Sequence, residues 1–223
     1  MNVSASSRFA AVVSVAIAVA CSAFAPTAGA DVTYSGRAYG AKVILVNPQP
    51  NVLIFSDTGD LPPTGGSLSA TLLTISLGNT LDSRTITAST GGSGGVASSS
   101  AHQEMVVAFQ GQPAQVTADV VEAHSQATCA GVQGSSVVTN LTFGGVAVTV
   151  TGQPNQTVVI ANVATLVINE QILVPGARDI TVNALHLFVG TGEQVILSSA
   201  HSDVTCATPS REMTWGRIKM LYR

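Results

Sequence analysis

The chain has 223 residues, of which only 9% are charged, with a formal net charge of −3; soluble domains average about 25% charged residues. Hydrophobic residues make up 46% and there are 21 glycines, so a sizeable core must be wrapped in Ser, Thr, Asn, Gln and Gly. Long exposed helices draw on Glu, Lys and Arg, and nucleic-acid surfaces on Lys and Arg, so nine basic residues in all exclude helical bundles and nucleic-acid partners.

Arg8 is the only charge before Asp31, and it precedes an apolar run from Phe9 to Ala20. Pro26-Thr27-Ala28-Gly29-Ala30 follows, with small residues at 28 and 30. Residues 1–30 are therefore predicted to be a helical secretory signal peptide, cleaved after Ala30, which places the mature protein outside the cell or on its surface. Ala18-Val19-Ala20-Cys21 leaves a second reading open, lipid attachment at Cys21. No later apolar stretch reaches the roughly 18 residues of a membrane span, so none is expected in the mature chain. If Cys21 leaves with the signal, Cys129 and Cys206 remain, and export predicts a disulfide between them.

Residues 31–206 are predicted to form one domain, an all-β antiparallel sandwich with Greek-key or jelly-roll-like connections, because short alternating runs are punctuated by glycine-rich turns. Its 4 basic and 11 acidic residues give a net charge of −7, while residues 207–223 form a short basic tail. Leu61-Pro62-Pro63-Thr64-Gly65 matches a sortase signal in letters, but its place early in the chain favours a Pro/Gly loop. The Gly/Ser stretch from Ser89 to Ser100 reads either as a flexible loop or as the start of a strand that continues to Phe109. Val146, Val148 and Val150 alternate with Ala147, Thr149 and Thr151, a strand signal.

Three His/carboxylate pairs stand two residues apart: His102 with Glu104, Glu122 with His124, and His201 with Asp203. On a strand, each pair shares one face. Adjacent strands would bring them together into a patch whose ligand types suit zinc or a similar metal, with a solvated polar face as the plain alternative. Ala123-His124-Ser125-Gln126-Ala127-Thr128-Cys129 recurs as Ala200-His201-Ser202-Asp203-Val204-Thr205-Cys206. The cysteines fall in each case on the side of small residues, predicted to face inward. Glu170 shares parity with Leu166, Ile168, Ile172 and Val174, so a straight strand would turn it inward as a carboxyl of raised pKa. Arg37 and Arg178 are its candidate partners, and a bulge at Asn169 would instead turn it outward. From Ile180 to Val189 the apolar parity flips, which predicts a bulge near Asn183-Ala184 or burial on both faces.

Ser35-Gly36-Arg37-Ala38-Tyr39-Gly40, Leu61-Pro62-Pro63, Gly152-Gln153-Pro154-Asn155-Gln156-Thr157, Thr165 to Gln171, Ile180 to His186, and Ser199-Ala200-His201-Ser202-Asp203 follow one another in an order that resembles the bacterial choice-of-anchor P family of secreted proteins. The resemblance implies export, and in many members a C-terminal anchor, which this chain lacks in recognisable form. It implies no catalytic residues.

The leading expectation is an exported, non-catalytic β-domain with a structural or adhesive role, meeting cell-envelope or extracellular polymers and needing no cofactor. A metal- or ligand-binding module built on the His/carboxylate face is the first alternative. An envelope hydrolase using Glu170 is the second.

Overall fold

The computed structural model describes residues 31–46 and 50–207. The predicted signal peptide, with Cys21, and the basic tail beyond Ala207 lie outside the described residues. Thirteen strands and no helix occupy the described chain: β1 (Thr33–Leu45), β2 (Asn51–Asp57), β3 (Gly66–Leu77), β4 (Leu81–Ser93), β5 (Val96–Ala108), β6 (Val116–Thr128), β7 (Gly131–Thr139), β8 (Thr142–Phe143), β9 (Val146–Ala147), β10 (Gln156–Ile160), β11 (Ala164–Leu173), β12 (Asp179–Val189) and β13 (Gln194–Thr205).

They form two packed antiparallel sheets, a β-sandwich. One has six strands in the order β10-β11-β12-β13-β1-β2; the other has seven, β3-β4-β5-β6-β8-β9 with β7 also on β6. The chain begins in the first sheet, builds the second as a meander, and returns to complete the first. Most neighbours are therefore successive strands, while the long return of the chain sets β13 beside β1 in the expected antiparallel sandwich. Tight glycine turns make this possible. The Ser89–Ser100 stretch, which one reading made a flexible loop, is the β4–β5 hairpin turning on Gly94 and Gly95 at φ +57° and +78°, a conformation glycine adopts without steric cost.

The run from Val146 to Val150 corrects another expectation, since only Val146–Ala147 is a strand. Beyond it the Gln156 side chain takes the place of a neighbouring strand, accepting from the Thr151 backbone N–H at 2.8 Å and donating to the Thr149 carbonyl at 2.7 Å. Side chains that bind nearby backbone in this way compete with ladder formation.

Each sheet carries a transverse crease. In the six-stranded sheet the row Asn169, Ala184, Ser198, Gly40 and Ser56 lies abreast, and ladder pairing skips it on each of the five strands it crosses. Asn169, Ser198 and Ser56 have φ near +52°, which non-glycine residues hold only when their surroundings over-determine it. In the seven-stranded sheet the ladders skip Leu73 beside Thr85 and Met105 beside Asp119, the two steps being offset by irregular β4–β5 pairing, with Thr85 and Met105 at φ +48° and +50°.

At a crease the inward parity switches. On β13, Val195 and Leu197 are buried on one side, and Ser198, Ala200, Ser202 and Val204 on the other. β6 switches from Val116 and Ala118 to Val121, Ala123 and Ser125. The parity flip read in 180–189 belongs to this device: Ala184 and Leu185 are both buried in the core, while Asn183 and His186 are buried beneath their neighbours on the other face.

The crease also divides the interior. On one side Val43, Leu81, Phe143, Leu166, Leu185 and Leu187 are completely or almost completely buried. On the other, Ala38, Ala88, Ala101, Ala123 and Ala200 sit among Thr90, Ser99, Ser125 and Ser202. The sheets come so close here that a Cβ on Gly36 would collide with Thr90 Oγ1, and one on Gly134 would lie 2.5 Å from Val182 Cγ2.

Candidate functional site

The seven-stranded sheet aligns His102 with Glu122 on adjacent strands. His102 Nδ1 lies 2.7 Å from Glu122 Oε1, His102 Nε2 lies 3.4 Å from Glu104 Oε1, and His124 Nε2 lies 3.5 Å from Glu122 Oε2. One carboxylate thus serves two imidazoles. Burial pushes the Glu122 carboxyl up, but the hydrogen bonds of His102 and His124 and their charges outweigh it and leave it below the usual carboxylate range.

The third predicted pair does not join this cluster. His201 and Asp203 stand on β13, in the other sheet, so strand order separates what the spacing suggested. His201 Nε2 turns to Asp179 Oδ1 at 3.1 Å. Asp203 faces Asp179 across the ladder, and its carboxyl is raised by burial and then by the Asp179 charge, against the opposing pull of His201. Among the described residues, no three His, Cys, Asp or Glu side chains are set to hold one metal ion.

Glu170 is turned away from the core by the left-handed residue before it, Asn169. The alternation that pointed it inward breaks there: Ile172 and Val174, which share its sequence parity, are 50% and 47% exposed. Its partners are neither Arg37 nor Arg178. Glu170 Oε2 accepts from Asn183 Nδ2 at 2.6 Å and pairs with His186 Nδ1 at 2.8 Å. Arg37 instead pairs with Asp57 and Asp60, and Arg178 donates to the Cys129 carbonyl. Burial raises the Glu170 carboxyl, yet the bonds from His186 and Asn183 and the imidazole charge bring it below the usual range. This corrects the expected raised pKa: a general acid must hold its proton near working pH, whereas this carboxylate is held ionised. His186 Nε2 lies 3.3 Å from Gln194 Oε1, and the ring packs on Phe188 with centroids 3.9 Å apart. Sequence spacing gave no sign of His186, because its partner is sixteen residues away.

The repeated heptapeptides face one another across the sandwich. Ser125 and Ser202 hydroxyls are 2.8 Å apart, Ser198 donates to the Val121 carbonyl at 2.8 Å, and Cys129 is bonded to Cys206 with a Cα separation of 5.7 Å. All three ties join residues 77 apart, so β6 and β13 run the same way in opposite sheets. The alanines and serines of both copies are buried as expected, but the disulfide sits at the rim: Cys129 is exposed and Cys206 half-buried.

A further concavity has no carboxylate in its lining. It is an open trough of about 610 Å³ on the outer face of the seven-stranded sheet. One row crosses five strands through Ser67, Gly91, Ser98, Gln126 and Gln133; the next holds Ser89, Ser100, His124 and Ser135. Ser89 and Ser100 hydroxyls are 2.9 Å apart. Among the described residues its lining includes no Asp, Glu, Lys or Arg. Of the expected site residues only His124 reaches it. Alternation in Ala97 to Ala101, with exposed Ser98 set against buried Ala97 and Ser99, was the available sequence signal.

No family model matches the chain, and no curated protein and no solved structure is similar to it.

Proposed function

We propose that the chain is an exported, non-catalytic β-domain with an adhesive or structural role at the bacterial surface or in the medium. The observation that carries this reading is the trough on the seven-stranded sheet: apart from His124 it presents hydroxyls and amides, with no carboxylate in its lining. Glu170, on which hydrolysis would rest, has its Oε2 engaged by two donors. Resemblance to the choice-of-anchor P proteins and the predicted signal peptide support export.

The test is expression of the full chain in a bacterial host, followed by fractionation, N-terminal sequencing and sedimentation with whole cell envelopes. The mature protein should begin at Asp31, outside the cytoplasm, and co-sediment with envelopes without releasing soluble fragments. Retention in the cytoplasm, or steady release of envelope fragments, overturns the proposal.

A further inference from the structure

We infer that the trough on the outer face of β3 to β7 binds an uncharged, linear, hydroxyl-rich glycan laid across the strands. The inference rests on the adhesive reading and names its ligand class.

The trough's shape gives the first argument. Its lining takes one residue from each of five strands in the Ser67-to-Gln133 row and a second outward row from Ser89 to Ser135, with Thr90, Ser99, Ser125 and Gly134 between them. Strands lie about 4.8 Å apart and same-face residues about 7 Å apart along a strand. The trough is therefore about 19 Å long across the sheet and about 7 Å between its two rows. A slot of those proportions suits an extended chain and presents hydroxyls and amides at about the rise of one sugar along such a chain.

Chemistry excludes the rival occupants. Nucleic acid and anionic polymers need cations to neutralise them, and the trough's lining includes none among the described residues, on a domain of net charge −7. A protein partner would need a buried apolar anchor at the centre, but the centre of the slot is Ser98 and Ser100 flanked by Gly91 and Gln126. A peptide strand would add to an open sheet edge, not lie across a face. Ser, Gln and His side chains can donate and accept together, which is what a sugar hydroxyl requires. With no aromatic platform in the lining, binding at one site is weak, and retention grows with repeated engagement of a long polymer.

The experiment is affinity electrophoresis of the full-length secreted protein in native gels containing hydroxyethyl cellulose, dextran, glucomannan or soluble starch, with polygalacturonate as the anionic comparison. At least one neutral glycan should retard the protein, and polygalacturonate should not. Ser98→Glu and Gln126→Glu, both at exposed positions, should each weaken retardation at least fivefold with unchanged melting. Thr181→Glu on the other sheet should leave it intact. Equal retardation in Ser98→Glu, or none with any neutral glycan, overturns the inference. Wild-type protein that still co-sediments with envelopes while ignoring all four glycans separates the two claims: adhesion stands and this ligand assignment falls.

Discussion

The two halves of the interior meet the same problem, holding two sheets face to face, with different materials. On the Phe143 side, Leu81, Leu166, Leu185 and Leu187 fill the space, and each such side chain contributes about 1.5–3 kcal/mol by leaving water. On the Cys129 side alanine offers far less apolar area, and directional bonds take over. Thr90 and Ser99 hydroxyls are 2.7 Å apart, Ser99 donates to the His201 carbonyl at 2.5 Å, and Ser202 reaches both Ser99 and Ser125. Apolar packing tolerates sliding, whereas these bonds and the disulfide fix the alignment of β6 on β13 residue by residue. The thick half is held by apolar burial, and the thin half by bonds that also set register.

The sharpest way to break this contrast is to remove the staple. The disulfide closes a loop of 77 residues, worth roughly 4–5 kcal/mol by the chain-entropy argument. Cys129→Ala with Cys206→Ala should lower the melting temperature markedly in calorimetry, and hydrogen exchange should rise more at Val121–Thr128 than at Leu185–Leu187. Uniform acceleration would mean that the halves are not separately held.

Next comes the thick half. Leu185→Ala should cost about 3 kcal/mol in urea unfolding, within the range for buried leucines, against about 1 kcal/mol for Ser125→Ala, a single hydrogen-bonding hydroxyl. Equal losses would refute the division of labour.

The close approach at Gly36 is testable by overfilling. Gly36→Ala drives a Cβ into Thr90 Oγ1 and should cost about 1–3 kcal/mol. Thr90→Ala in the same chain should recover part of that loss, a coupling that a double-mutant cycle would read. Simple additivity would show that the sheets separate to make room.

The smallest effect is on the outer faces. Glu122 and Glu170 have carboxyls below the usual range in the folded protein, so the stability they contribute is present above the unfolded carboxylate pKa of about 4.5 and is lost as pH falls through their folded values. Asp203, raised by burial and Asp179, works the other way: its cost at neutral pH is relieved on protonation. Glu170→Gln should flatten the acid limb of a stability–pH curve relative to wild type. An unchanged acid limb would remove Glu170 from that account.

Much of this was legible in the chain. Low charge and glycine punctuation point to the all-β sandwich, and two cysteines left after a predicted signal peptide point to the Cys129–Cys206 pairing. Alternation placed Ala123, Ser125, Ala200 and Ser202 inside. Alternation also failed where a crease reset it, because a left-handed Asn169 or Ser198 is chosen by the rows on either side and not by its own letters. Strand order was equally hidden. Nothing in the spacing of His201 and Asp203 says that β13 lies in the other sheet from β5 and β6, so the three-pair patch dissolved. His186 finds Glu170 only because β11 and β12 are paired.

One feature of the topology bears on how such a chain becomes folded. β13 lies between β12 and β1 in the middle of the six-stranded sheet, so the earliest described strand has its main partner at the far end of the domain. β3 to β7 pair strand after strand and can zip as they emerge from a ribosome or a membrane pore. β1 and β2 cannot be docked into a finished sheet until Thr205 has emerged, and Cys129 must wait as long for Cys206. Closing so long a loop is entropically costly and slows folding. A chain that emerges N-terminus first thus keeps its first sheet open until its last described strand is free.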